Sequence, residues 1–293
     1  MGNGQIIALK SQLTNEQLQL LEEKAKRIRQ DICIMTNKAK SGHPGGSLSA
    51  TDILAYLYFH AMKVDPSNPK DPDRDRFVLS KGHASPVLYG ALAEKGFFPR
   101  EELYNFRKIN SLLQGHPEMK NIPGVDMSTG SLGQGLAAAN GMALAGKLDK
   151  KEYRVYVLMG DGENQEGMIW EGAMAAAHYK LDNVTAFLDY NGLQIDGTTD
   201  EIMSLGNVAA KWMSFGWHVI EVNGHDVKAI HAAVLEAKTI KDKPTIIIAN
   251  TIKGKGVSFM ENQVGWHGNA PSDDQLECAL ADLADVIEAG GAR

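Results

Sequence analysis

Tyr153-Arg154-Val155-Tyr156-Val157-Leu158-Met159 runs into Gly160-Asp161-Gly162, and Asn191-Gly192 follows thirty positions after Asp161. Residues 153–159 are mostly apolar or aromatic, with no Gly or Pro, which predicts a buried strand. Glu163 to Lys180 predicts a helix, and Val184 to Asp189 a second strand: one βαβ unit of ordinary length. Its right-handed crossover makes the strands parallel, so both strand ends lie on one edge of the sheet. Asp161 and Asn191 are therefore expected to converge. A carboxylate and an amide oxygen are two hard ligands suited to Mg²⁺, which usually keeps phosphate oxygens as further ligands. The glycines let backbone approach a phosphate with no Cβ in the way. The same residues also fit a plain strand-to-helix turn followed by an Asn-Gly turn, and the flanking chain has to separate the two.

At 293 residues the chain can bury one or two ordinary cores. With 43% hydrophobic and 23% charged residues it has the composition of a soluble globular protein. A net charge of −6 leaves no basic footprint for nucleic acid, and any selectivity for sugar phosphates must be local. Cys33 and Cys278 lie far apart and outside any CxxC, which favours free thiols in a reducing compartment. The first residues lack a basic-then-apolar leader pattern, and no apolar run approaches the length of a membrane span. The expectation is a cytoplasmic protein that neither enters a membrane nor binds nucleic acid.

Thr14 and Gln17 form a capping-box pair ahead of Leu18, Leu21, Ala25, Ile28, Ile32, Met35 and Ala39, which predicts an amphipathic helical segment over about 14–40. Cys33 reads as packing on that helix, since no basic partner is near it in sequence. Ser41-Gly42-His43-Pro44-Gly45-Gly46 ends the helix and implies a tight, unusual backbone path around His43. A helix is expected from about Thr51 to Met62, then a proline-rich loop, then a short strand, Arg76 to Ser80. His83 follows at a strand-to-helix junction, where open α/β sheets bind ligands, with Pro86 in the first turn of the next helix. Pro99 opens a short helix through Arg107, and His116 sits in a Gly-His-Pro-Glu turn. Residues 128–135, Ser-Thr-Gly-Ser-Leu-Gly-Gln-Gly, lead into an Ala-rich helix, Leu136 to Lys147, whose free N–H groups suit an anion and whose small residues equally suit close helix packing. Further on, Ser204–Phe215 reads as helix, Trp217–Val222 as strand, Asp226–Lys238 as helix and Thr245–Thr251 as strand. A Lys-Gly-Lys-Gly loop from Lys253, Trp266-His267-Gly268, and a last helix capped by Ser272 and ending near Ala289 come after these. Strands alternate with helices throughout, which predicts an α/β fold: one doubly wound, mostly parallel sheet with helices on both faces, over residues 1–293 as a single domain.

SGHPGG, DRDRFVLSKGH, GHPE, STGSLGQG, GDGENQEG, DYNGLQIDG, FGWHVIEVNGHD and WHG, in that order from about Ala25 to Pro271, resemble the N-terminal part of the transketolase family. The resemblance implies a domain that binds the diphosphate end of thiamine diphosphate. Asp161, Asn191 and the backbone carbonyl of Leu193 resemble the ligands of Mg²⁺, for which Ca²⁺ or Mn²⁺ are possible substitutes. Gly162 and His83 resemble diphosphate contacts, with Asn191 and His267 also against the cofactor, and Gly130, Ser131 and Leu132 resemble the loop beside its rings. Ser131 stands where many relatives have proline. His43, His116 and His267 resemble the catalytic histidines that face sugar hydroxyls, where a neutral imidazole can take up and return a proton. Glu166 and Glu171 resemble acidic residues of a subunit interface, though a Glu on a helix also fits a solvated face.

In the resembled family a second, pyrimidine-binding domain carries the glutamate that activates the cofactor and most groups that hold the sugar phosphate. This chain reaches Arg293 after one domain's worth of motifs. The expectation is the N-terminal subunit of a split transketolase, inactive until a separate C-terminal subunit joins it, in a heterotetramer of two plus two. The substrates expected are pentose-pathway sugar phosphates or a specialised sugar phosphate. One alternative is the alpha-type subunit of another two-chain thiamine diphosphate enzyme, such as a 2-oxoacid dehydrogenase. Deoxyxylulose-phosphate synthase is a relative that shares KGKG and GWHGN-like segments. A non-catalytic binding or regulatory module is the third reading, against which the retained Asp161, Asn191 and histidines weigh.

Overall fold

The computed structural model describes residues 12–290, so residues 1–11 and 291–293 of the expected single domain lie outside the described residues. The first helix is α1, Asn15–Ala39, started by the Thr14–Gln17 capping box and burying Leu21, Ala25, Ile28, Ile32 and Met35 on one face. The short helices α2, Pro44–Ser49, and α3, Thr51–Tyr56, follow, and α3 runs on into a π turn at Leu57–Ala61. Strand β1, Arg76–Leu79, leads through a 3₁₀ turn at Gly82–Ala84 into α4, Ser85–Lys95. Helix α5, Gln134–Leu148, precedes β2, Val155–Gly160. Next come α6, Gly167–His178, and β3, Val184–Tyr190. A two-stranded antiparallel hairpin, β4 Leu193–Gln194 with β5 Gly197–Thr198, is followed by α7, Thr199–Met203, and α8, Val208–Ser214. Strand β6, His218–Asn223, helix α9, Val227–Thr239, strand β7, Thr245–Asn250, and helix α10, Asp273–Gly290, come last.

The main sheet has the order β1-β2-β3-β7-β6, and all four pairings are parallel. Side chains alternate across it. Phe77, Leu79, Tyr156, Leu158, Phe187 and Ile247 enter one core, with α1, α3, α4 and α9. Val78, Val157, Met159, Ala186, Leu188 and Ile248 enter the other, with α5, α6 and α8. Both faces are covered, which is why the strands read as continuous apolar runs. The chain steps in one direction through β1, β2 and β3, then jumps to the β6 edge and returns to β7 beside β3. That reversal makes a topological switch point between β3 and β7, the place outside the strand C-termini where open α/β sheets bind ligands.

Four local expectations change. The helix after Gly-Asp-Gly starts at Gly167, because Gly162–Gln165 is a 3₁₀ turn and Glu166 is extended. The helix expected over 204–215 starts at Val208, where Asn207 caps it, and the preceding α7 and the β4–β5 hairpin were not anticipated. The segment opened by Pro99 is a 3₁₀ helix, Arg100–Asn105. Gly45 and Gly46 do not form a turn but lie inside α2. A Cβ on Gly45 would stand 2.7 Å from the Trp266 carbonyl oxygen, so the glycine serves close backbone approach.

Candidate active site

The C-terminal ends of β1, β2, β3 and β7 deliver Lys81, Asp161, Asn191 and Lys253 to one rim of the sheet. Asp161 is buried, and its carboxylate bridges the two loops: Oδ1 accepts from the Gly162 N–H at 2.8 Å and Oδ2 from the Gly192 N–H at 2.5 Å. Burial, and then the charge of Asp189, push its carboxyl up to about 6. Asn191 does not bond to Asp161. Its Nδ2 donates to Asp189 at 3.3 Å and its Oδ1 accepts from the Leu193 N–H at 3.1 Å, leaving one lone pair of that oxygen uncommitted. The Leu193 carbonyl accepts from Lys253 Nζ at 2.9 Å, so a cation already sits at that oxygen.

Three of the four predicted histidines form a triangle above this rim. The ring centroids of His43 and His83 are 5.2 Å apart, those of His43 and His267 5.5 Å, and those of His83 and His267 5.2 Å in a stacked pair. Burial is the first cause that keeps them neutral. With Arg107 next, it takes His43 down to about 4, and with Lys253 next, it takes His267 down to about 3. His83 is held well below the usual range by burial and then by Lys81. Lys253 Nζ also lies 2.8 Å from His267 Nδ1, and burial pulls that ammonium down to about 8. His116 stands apart from the triangle, exposed, with its ring against Gly130: a Cβ there would come within 3.0 Å of it. Burial and Arg107 lower its pKa too. Ser131 is exposed and Leu132 half-buried beside it, just before α5. Glu166 and Glu171 are exposed, at the start and on the outer face of α6, and Glu166 packs against Gly133, where a Cβ would stand 3.0 Å from its own.

Four charged residues of this site are not singled out by sequence motifs alone. Lys81, 2% exposed, pairs with the fully buried Asp189 and donates to the Gly46 carbonyl at 2.7 Å. Asp189 also accepts from Ser49 Oγ at 2.6 Å and from Thr251 Oγ1. Lys253 is 1% exposed, and Glu163 is 2% exposed. The available signal was position: Lys81, Asp189 and Lys253 each sit at or just past the end of an apolar strand in a parallel sheet, where a charge has no solvent face to occupy.

The residues present fit a hard divalent ion bound together with a diphosphate. A carboxylate, an amide oxygen and a backbone carbonyl meet at one rim, and all are oxygen donors of the kind such ions take. Among the described residues no group of three or more His, Cys, Asp or Glu forms a metal cluster, and ions of this kind usually take phosphate oxygens as further ligands. Two polar atoms near the rim, His43 Nδ1 and Thr129 Oγ1, are buried without a hydrogen-bond partner in the described structure, which leaves them free to meet a polar ligand.

Residues 22–283 match the family model described as the transketolase thiamine diphosphate binding domain. The chain is 45% identical over 272 residues to an apulose-4-phosphate transketolase subunit of Phocaeicola vulgatus, covering 93% of this chain and 96% of that one. It is 48% identical over 263 residues to the 6-deoxy-6-sulfo-D-fructose transketolase subunit SqwG of Clostridium sp., covering 90% of this chain and 96% of that one. The crystal structure of transketolase from Campylobacter jejuni superposes with a TM-score of 0.85 at 37% identity, over 91% of this chain. The chain spans 43% of the length of that protein, and the same share of the transketolase of Homo sapiens, to which it is 44% identical. A parallel sheet of this order, a carboxylate–amide rim beneath a histidine triangle and a family match over nearly the whole described chain agree, and the protein belongs to the transketolase family, of which it carries the thiamine diphosphate binding domain.

Proposed function

We propose that this chain is the diphosphate-side subunit of a two-chain transketolase, a transferase that moves a two-carbon ketol unit from a ketose phosphate to an aldose phosphate. The observation that carries the proposal is the meeting of Asp161 with the Asn191–Leu193 loop directly beside His43, His83 and His267. Asp161, Asn191 Oδ1 and the Leu193 carbonyl would hold Mg²⁺, with Ca²⁺ or Mn²⁺ as substitutes of similar hardness. A metal at that carbonyl would have to displace Lys253 Nζ, which would remain a cation beside the diphosphate. Gly162 and His83 face the diphosphate, and Gly130, Ser131 and Leu132 line the ring end. Thiamine diphosphate, when bound, supplies the electron sink for breaking a carbon–carbon bond beside a carbonyl. The protein's part is proton handling. His43, His116 and His267, kept neutral by burial and by neighbouring cations, accept a proton from a sugar hydroxyl and return it in the acceptor half.

The second half of the site comes from a separate C-terminal subunit, in a two-plus-two assembly in the cytoplasm. The supporting feature is the outer face of α6, where Met168, Glu171 and Met174 are exposed in a row, with Glu166 at the helix start. Large apolar side chains left in the open beside carboxylates suit a subunit contact. Calorimetry with thiamine diphosphate, with and without Mg²⁺ and with the companion subunit present, tests the proposal. Uptake should require Mg²⁺ and vanish in Asp161→Ala without loss of fold. Metal-independent uptake, or full ketol transfer by the isolated chain, would defeat it.

A further inference from the structure

We infer that Glu163 is a positioning residue that locks three loops of the proposed site together and so sets the spacing between the diphosphate turn and the ring-facing loop. The inference rests on the proposed function. Glu163 Oε1 accepts from Ser80 Oγ at 2.5 Å and from the Gly133 N–H at 2.9 Å, and Oε2 accepts from the Gly160 N–H at 3.1 Å. Ser80 follows β1, Gly160 ends β2, and Gly133 is the cap residue ahead of α5. One carboxylate thus reaches groups up to 83 positions from its own.

Two of the three segments, the one after β1 and the one ahead of α5, meet almost backbone to backbone. A Cβ on Gly82 would stand 2.7 Å from the Gly130 nitrogen and the Thr129 carbonyl carbon, and one on Gly135 would stand 2.7 Å from Ser80 Cα. Side chains of the loops already fill the gap, Ser80 Oγ against Gly135 and Thr129 Oγ1 against Gly82, and Glu163 enters from the adjoining 3₁₀ turn. Gly133, at φ +91°, turns the chain into α5 with its N–H outside the helix, and Glu163 is the acceptor that N–H finds. Gly133 lies one residue past Leu132, so its placement fixes where residues 130–132 stand relative to Gly160-Asp161-Gly162.

The site demands acceptors on both oxygens. In Glu163→Gln one oxygen becomes an NH₂ group. Whichever way the amide turns, a donor then faces the Gly160 N–H or the Gly133 N–H, and neither backbone group can reverse its direction. The expected result is a thiamine diphosphate affinity, measured by calorimetry in the presence of Mg²⁺ on the chain joined to its companion subunit, weaker by roughly 10- to 100-fold in Glu163→Gln, the range seen when the support of a ligating group is removed. Ser80→Ala should lose less, because both backbone N–H bonds survive. Wild-type affinity in a folded Glu163→Gln protein overturns the inference. Amide hydrogen exchange on the unaltered protein decides it independently of any variant and of cofactor uptake. The Gly133 N–H, outside any strand and ahead of α5, should exchange slowly for a loop position, and exchange as fast as an open loop overturns the lock. Absence of cofactor uptake by the wild type sinks the proposed function instead, and the exchange result still stands or falls by itself.

Discussion

His43 shows how a single side chain carries the pH behaviour of the site. Its pKa falls from 6.5 to about 4, first through burial, then through Arg107, His116 and Lys253. Between those values the unfolded chain binds a proton that the folded chain refuses, so stability drops as pH falls through the window and is recovered above about 6.5. The melting temperature of the cofactor-free protein should therefore decline on acidification across this range, and His43→Gln should decline less. Parallel curves for the two proteins would contradict the assignment. The histidines themselves were visible in the sequence as residues of Gly-rich turns. Their neutrality was not, because it depends first on burial and then on cations brought in from other parts of the chain.

Elements are held to one another by close glycine contacts and by one buried ion pair. Gly135 lies in the first turn of α5, where Ala would ordinarily be favoured by about 1 kcal/mol. Here a Cβ would stand 2.3 Å from Ser80 Oγ, and backbone stands behind it, so overpacking of roughly 1–3 kcal/mol should win. Gly135→Ala is expected to lower the denaturation midpoint, and a raised midpoint would mean α5 can move off β1. Lys81 and Asp189 join α2, β1, β3 and β7 through Gly46, Ser49 and Thr251. Lys81→Met leaves Asp189 buried and unpaired and should cost roughly 3–5 kcal/mol in urea unfolding. A loss near that of a surface pair would show that water reaches Asp189. The strands were legible because β2, β3 and β7 are largely apolar, whereas the break at Glu166 and the β4–β5 hairpin were not, since neither changes the local apolar pattern.

At the scale of the whole molecule, the sheet leaves one rim built and one helix face unfinished. The rim gathers the polar groups of the site at the reversal of strand order beside β3. Helix α6 turns Met174, 56% exposed, outward near Glu171. Met174→Glu should leave the melting temperature of the isolated chain within about a degree, since exposed positions rarely change stability by much. It should weaken assembly with the companion chain by about tenfold or more in sedimentation or calorimetry, and unchanged assembly would move the interface elsewhere.

By itself the sequence determined the alternation of apolar strands and helices, the loops that end those strands, and the family, because periodicity and motif order are written along the chain. The tertiary structure alone decided which groups serve each other there. Asp161 reaches the backbone of Gly192 rather than the Asn191 side chain, Lys253 occupies the Leu193 carbonyl, and Glu163 spans three loops. The longer of these links join positions 30 to 83 residues apart, and a hydrogen bond forms or fails over a fraction of an ångström, a precision that comes only from packing the strands side by side.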